Sequence, residues 1–234
     1  MSKSLQFSIA ILVAIFFFLP SAEAFNLYDY FPNLVPGQDP GQPDTLYTVC
    51  EPQTAGQQVI QLRLKTDNVG EFDSVAGAFI PLLLTTDKPG VVLDTTEATT
   101  FSGTASQVWD VLAVDVQTSG GNPGSFPMTV VVGGVTFDTI GALGPGDHLL
   151  ARLVFSLSEP TTICVDTTHT LTGPICCLDL VTFGAVDYVP QWYKICCGPA
   201  VAVPTLSEWG LVFFSLVLLA SIVWYLKRRK LIYA

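Results

Sequence analysis

Residues 59–65 read Val59-Ile60-Gln61-Leu62-Arg63-Leu64-Lys65, and this stretch decides the fold. Ile60, Leu62 and Leu64 alternate with Gln61, Arg63 and Lys65, the period of a strand with one face on a core and the other in water. A helix would instead need apolar residues at three- and four-residue spacing. Residues 148–157 repeat the pattern, with Leu149, Ala151, Leu153, Phe155 and Leu157 on the inner face and His148, Arg152 and Ser156 on the outer one. His148 is therefore read as an exposed histidine. Residues 128–132 and 135–138 are β-branched runs separated by Gly133-Gly134, which predicts a tight hairpin turn, because glycines reach positive φ without steric cost. Residues 74–84 and 109–116 are further strands, with Pro81 marking a bulge or an edge. Between residues 25 and 203 no apolar 3.6-residue stripe is long enough for a helix. The expectation is an all-β domain, an antiparallel sandwich over residues 46–170.

Outward from this core, residues 25–45 carry Pro32, Pro36, Pro40 and Pro43 with Gly37 and Gly41. Each proline removes a backbone donor and fixes φ, so the segment reads as an extended leader over the domain surface or a loose arm. Residues 1–24 have the order of a secretory signal: Lys3, an apolar run from Phe7 to Leu19, then Ala22 and Ala24 at the −3 and −1 positions. The apolar run of about 13 residues is short for a ~30 Å hydrocarbon core, which favours cleavage after Ala24 over an uncleaved anchor.

The other end differs. From Trp209 to Leu226 no residue is charged, and only Ser215 and Ser221 are polar. As a helix, about 18 residues rise roughly 27 Å, close to the apolar thickness of a bilayer. Trp209 at one boundary and Trp224-Tyr225 at the other suit the interfaces, and Lys227, Arg228, Arg229 and Lys230 form a stop that stays cytoplasmic. The domain before this transmembrane helix is thereby placed outside the membrane. Ahead of the helix stand Val203, Pro204, Thr205, Leu206, Trp209 and Gly210. With the helix and basic end, residues 203–230 resemble an IPTLxxWG-type C-terminal sorting domain of the PEP-CTERM-like group, with Val203 in place of the usual Ile. The resemblance implies recognition at these six residues by an exosortase-type membrane transpeptidase. It makes the helix a transient retention device; a permanent single-pass anchor is the alternative.

Of 10 Lys+Arg and 20 Asp+Glu in the chain, five basic and eighteen acidic residues fall between residues 25 and 203. Such a domain lacks the basic footprint that phosphates require, which argues against nucleic acid as a partner. Cys50, Cys164, Cys176, Cys177, Cys196 and Cys197 make an even number, the mark of disulfides in an exported chain. Adjacent cysteines on one strand face opposite ways, so each doublet can tie two neighbours. Of the 15 full pairings that six cysteines allow, Cys50 with Cys164 and doublet with doublet is the one expected, in a Cys-rich extension over residues 171–202. Thiolate zinc sites usually use Cys-x₂₋₄-Cys spacing, which these doublets lack.

No catalytic motif is present, and His148 and His169 are the only histidines. Asp67, Asn68, Glu71 and Asp73 offer oxygen ligands in a Gly-containing turn that suits Ca²⁺, against the alternative of an ordinary solvated turn. Trp109 and Trp192-Tyr193 are candidates for a sugar-stacking platform or for core packing. A second resemblance lies in residues 60–67, 74–84, the run Gly146-Asp147-His148 to Phe155-Ser156-Leu157, and 163–166. Their rhythm is similar to cohesin-like jelly-roll modules of bacterial surface proteins, which implies a sandwich. The expectation is an exported, exosortase-sorted bacterial surface protein. Its non-catalytic ectodomain would act in adhesion, matrix or envelope assembly, without a required cofactor. The second reading is a carbohydrate- or protein-binding module stabilised by calcium.

Overall fold

The computed structural model describes residues 35–117, 122–168, 177–199 and 206–232. The chain divides into two units, Met1–Pro199 and Ala200–Ala234. In the first unit the described strands are β1 (Val35–Pro36), β2 (Thr45–Cys50), β3 (Gln57–Thr66), β4 (Val75–Thr86), β5 (Val91–Asp94), β6 (Val111–Val116), β7 (Met128–Val135), β8 (Gly146–Leu157), β9 (Ile163–Thr167), β10 (Asp179–Thr182), β11 (Val186–Tyr188), β12 (Gln191–Trp192) and β13 (Ile195–Cys197). One short helix, α1 (Glu97–Phe101), joins the two halves of this order.

Two sheets form. One has the order β12-β2-β3-β8-β5; the other runs β1-β11-β10-β4-β7-β6, with β9 also on β4 and β13 on β9. β3 buries Gln58, Ile60, Leu62, Leu64 and Thr66, the alternation its sequence announces. Those leucines and Ile60 share a core with Leu153 and Phe155 of β8 and with Ile80, Leu82, Leu84, Val130 and Val132 of the opposite sheet. Burying one such side chain stabilises by about 1.5–3 kcal/mol before ordering entropy is subtracted. The domain is an all-β sandwich.

The structure corrects three local expectations. β8 pairs Ala151 with Leu62 and Leu149 with Arg63, so Leu150 is the extra residue of a bulge. The bulge inverts the parity on its N-terminal side: Leu150 is buried, Leu149 turns outward with Arg63, and His148 lies opposite Leu64 on the inner face. His148 is therefore half-buried rather than exposed. Pro81 lies neither at an edge nor at a bulge. On one side β4 pairs continuously with β7; on the other, β10 begins opposite Phe79 and β9 ends opposite Leu82. Pro81 fills the gap between those two partners, where its missing N–H leaves nothing unpaired.

Gly133-Gly134 is not a turn but the interior of β7, paired on both sides. A Cβ at Gly134 would stand 2.7 Å from the Val111 carbonyl oxygen and 2.9 Å from the Trp109 ring. The glycine thus makes room for Trp109, which is 6% exposed and donates its indole N–H to the Gly141 carbonyl at 2.9 Å. Gly134→Val is expected to destabilise the domain by about 2–3 kcal/mol through overpacking. Urea unfolding monitored by tryptophan fluorescence measures this, and an unchanged midpoint would show that the site can relax.

Candidate functional site

Register brings the leader onto the end of β3. Thr45 pairs with Lys65, so the residues just before β2 meet those just after β3. Asp39, Asp44 and Asp67 converge there, each offering a carboxylate oxygen within 4.8 Å of the others. The approach is close: a Cβ on Gly41 would fall 2.0 Å from Asp67 Oδ1. The Gln42 N–H donates to both Asp67 oxygens at 3.1 Å, and the Gly41 N–H to Asp39 Oδ1 at 3.3 Å. The Asp44 N–H donates to Asp39 Oδ2.

Beneath the cluster, Asn68 donates from Nδ2 to the Tyr188 hydroxyl at 3.0 Å, and that hydroxyl donates to Asp44 Oδ2 at 2.6 Å. Asp44 and Asn68 are each 1% exposed. Burial pushes the Asp44 carboxyl above the usual range, partly offset by the Tyr188 hydrogen bond. Burial, and then the hydrogen bond to Asp44, raise the Tyr188 hydroxyl. A pocket of about 310 Å³ opens between residues 42–45 and 65–67. The leader over residues 37–44 is thus packed and hydrogen-bonded onto the sandwich. Glu71 and Asp73, grouped with Asp67 from the sequence, are not part of the cluster.

The cystines differ from the expected pairing. Cys50 bonds Cys197 and Cys164 bonds Cys196. The reason is parity on β13. Cys50 lies opposite buried Ile60 and faces the core, where it meets Cys197, 1% exposed. Cys196 points outward beside its directly paired residue, Cys164. One doublet therefore ties the two sheets together and also locks β13 to β9. Cys177 is disulfide-bonded as well, whereas Cys176 lies outside the described residues.

The other predicted site residues fall as follows. His148 donates from Nε2 to the Gly144 carbonyl at 2.8 Å. Its neighbour Asp147 is taken up by Arg63 Nε at 3.1 Å and the Tyr47 hydroxyl at 2.8 Å. Trp109 is core, Trp192 packs against the core, and Tyr193 is exposed, so the three do not share one aromatic platform. His169, Ala22, Ala24, Val203, Pro204 and Thr205 lie outside the described residues.

In the second unit, α2 (Leu206–Ile232) is a 27-residue helix that contains Trp209 and Gly210 and reaches past Lys230. Its described side chains are exposed, Leu211, Phe213, Phe214 and Leu216 among them. Ser215 and Ser221 return their hydroxyls to the carbonyls of Leu211 and Val217, both at 2.8 Å. Among the described residues no helix is long and apolar enough to cross a membrane.

Comparison with known proteins follows these two units. Residues 201–229 match the family model of the IPTL-CTERM motif. No curated protein matches the chain. The first unit is similar to the type III cohesin module of the ScaE cell-surface anchoring scaffoldin of Ruminococcus flavefaciens, with a TM-score of 0.45 and 11% identity over 72% of this chain and 99% of that one. The second type II cohesin module of the ScaA scaffoldin of Acetivibrio cellulolyticus gives 0.45 and 11% over 70% and 93%. The seventh ScaB type I cohesin of Pseudobacteroides cellulosolvens gives 0.40 and 7% over 69% and 94%.

The charges of β10 and β11 set a pH dependence. Burial, reinforced by Asp187, pushes the Asp179 carboxyl up to about 6. The folded protein then holds this proton at pH values where the unfolded chain, near 3.8, has released it. The contribution is fully present below the unfolded value and is lost as pH rises through the folded one. Asp179→Asn is therefore expected to gain stability relative to the parent between about pH 4 and 6 and to hold a constant difference above that. Denaturant unfolding across this range checks it; a difference independent of pH would contradict the assignment.

Proposed function

We propose that this chain is an exported bacterial surface protein, delivered by a cleaved signal peptide over residues 1–24 and handed at residues 203–210 to an exosortase-type transpeptidase. The observation that carries this reading is the IPTL-CTERM motif over residues 201–229, beginning four residues after Cys197 closes the sandwich. The charge-free run from Trp209 to Leu226 holds the chain in the membrane until sorting, and Lys227, Arg228, Arg229 and Lys230 stay in the cytoplasm. The helix suits that solvent: apolar side chains are exposed along it, and its two serines are satisfied by the helix's own carbonyls. The cystines belong with an oxidising location outside the cytoplasm.

The ectodomain is non-catalytic in this reading and serves in adhesion, matrix or envelope assembly. His148 hydrogen-bonds a backbone carbonyl, and the adjoining carboxylate is occupied by Arg63 and Tyr47. A protein or carbohydrate ligand is the second reading for the sandwich surface, with exposed Tyr193 as an aromatic contact.

Intact-mass analysis of protein from its native cells tests the delivery route. A species that begins at Phe25, ends between Val203 and Gly210, and gains six hydrogens on reduction of its six cysteines is expected. A species retaining Trp224 and residues 227–230 would instead make the helix a permanent anchor.

A further inference from the structure

The convergence of Asp39, Asp44 and Asp67 leaves a deficit that the chain's own groups do not fill. Each carboxylate offers an oxygen within 4.8 Å of the other two, although like charges at such range repel one another. Among the described residues the ion pairs are Arg63–Asp147, Lys88–Glu159, Arg152–Glu51 and Lys194–Asp166; none reaches this cluster. A second observation stands apart from the acidic charge. Asp44 Oδ1 and Asn68 Oδ1, on side chains 1% exposed, accept no hydrogen bond. Tyr188 donates to Asp44 Oδ2, and Asn68 donates to Tyr188, with its amide nitrogen 3.5 Å from that same carboxylate oxygen; the Thr66 hydroxyl and the Asp67 N–H also lie beside Asp44, yet Oδ1 is left without a well-formed bond. Leaving such acceptors buried and unmet is destabilising. Only acceptors remain unmet, and acceptors without donors are what a cation answers.

We propose that this cluster is a Ca²⁺ site formed by carboxylate oxygens of Asp39, Asp44 and Asp67, with Asn68 Oδ1 as the neutral oxygen beside them. All donors are oxygens, which selects a hard cation. Oxygens around Ca²⁺ at 2.3–2.6 Å lie no more than about 5 Å apart, a range compatible with carboxylate oxygens within 4.8 Å of one another. The pocket between residues 42–45 and 65–67, lined by Asp44, Asp67 and also Lys65, gives the ion a route to two of these ligands. Gly41 is required by the same geometry, since any side chain there would displace Asp67. The ion bridges two segments far apart in sequence, residues 39–44 ahead of β2 and residues 67–68 after β3. Its effect is to clamp the proline-rich leader to the sandwich, against Tyr188 of β11.

The test uses the full chain in detergent, freed of metal by chelation and titrated with CaCl₂ by calorimetry, with thermal unfolding in parallel. A single saturable site is expected, with Kd at or below about 10⁻³ M, as in extracellular calcium modules, and a melting temperature that rises over the same concentration range. Asp67→Asn preserves shape and an acceptor for the Gln42 N–H, whereas Asp39→Asn keeps an acceptor for only one of the Gly41 and Asp44 N–H groups. Each is expected to weaken Ca²⁺ at least about tenfold, and Asp67→Asn to leave the metal-free melting temperature unchanged or higher, because repulsion is relieved. Absence of saturable binding at about ten times that concentration would overturn the proposal. So would parental affinity in both variants, which would place the ion elsewhere, or displacement of Ca²⁺ by an equal concentration of Mg²⁺, which would remove the assignment of calcium.

Discussion

On β13, a strand of three residues, Cys197 turns into the core and Cys196 turns out of it, and the closure of the sandwich depends on that opposition. So short a strand with a single neighbour is not stable by its ladder alone. Cys197 reaches Cys50 at the end of β2 in the opposite sheet, across 147 residues of sequence, while Cys196 fastens the same strand to β9 across 32. In the chain-entropy account, loops of these lengths are worth about 5 and 4 kcal/mol, and less together than their sum because the loops overlap. A domain of many short strands and non-local pairings pays heavily in loop closure, so a cross-link between its first long hairpin and its last strand acts where the unfolded chain is freest.

Much of the fold was legible because alternation is a local signal. β3 buries the residues its sequence marks, and β8 does so from Ala151 onward. What escaped was set by neighbours distant in sequence. The bulge at Leu150 inverts His148, and nothing in residues 146–150 announces it, because a bulge is a property of a pair of strands. Gly133-Gly134 looks like a turn in isolation; Trp109, more than twenty residues earlier, makes it strand interior. Pro81 likewise makes sense only once β10 and β9 are seen to share one edge of β4.

The acidic site was half legible for the same reason. Asp67 and Asn68 stood out in a turn, and their true partners are Asp39 and Asp44 from the proline-rich leader, placed there by the Thr45–Lys65 register. A segment with four prolines has no hydrophobic period to reveal what it packs against, and a buried aspartate just before a strand looks like any other turn residue. The opposite holds for the tail. Its reading rests on contiguous residues, and the match over 201–229 coincides with the segment that the residues themselves single out.

Along the sequence, the cystines complete the sandwich at Cys197, and the match to the sorting motif begins at residue 201. Peptide mapping of the non-reduced protein by tandem mass spectrometry tests the closure directly. The account predicts cross-linked peptides joining Cys50 to Cys197 and Cys164 to Cys196. A peptide joining Cys50 to Cys164 would contradict it, because β13 would then be cross-linked to neither β2 nor β9.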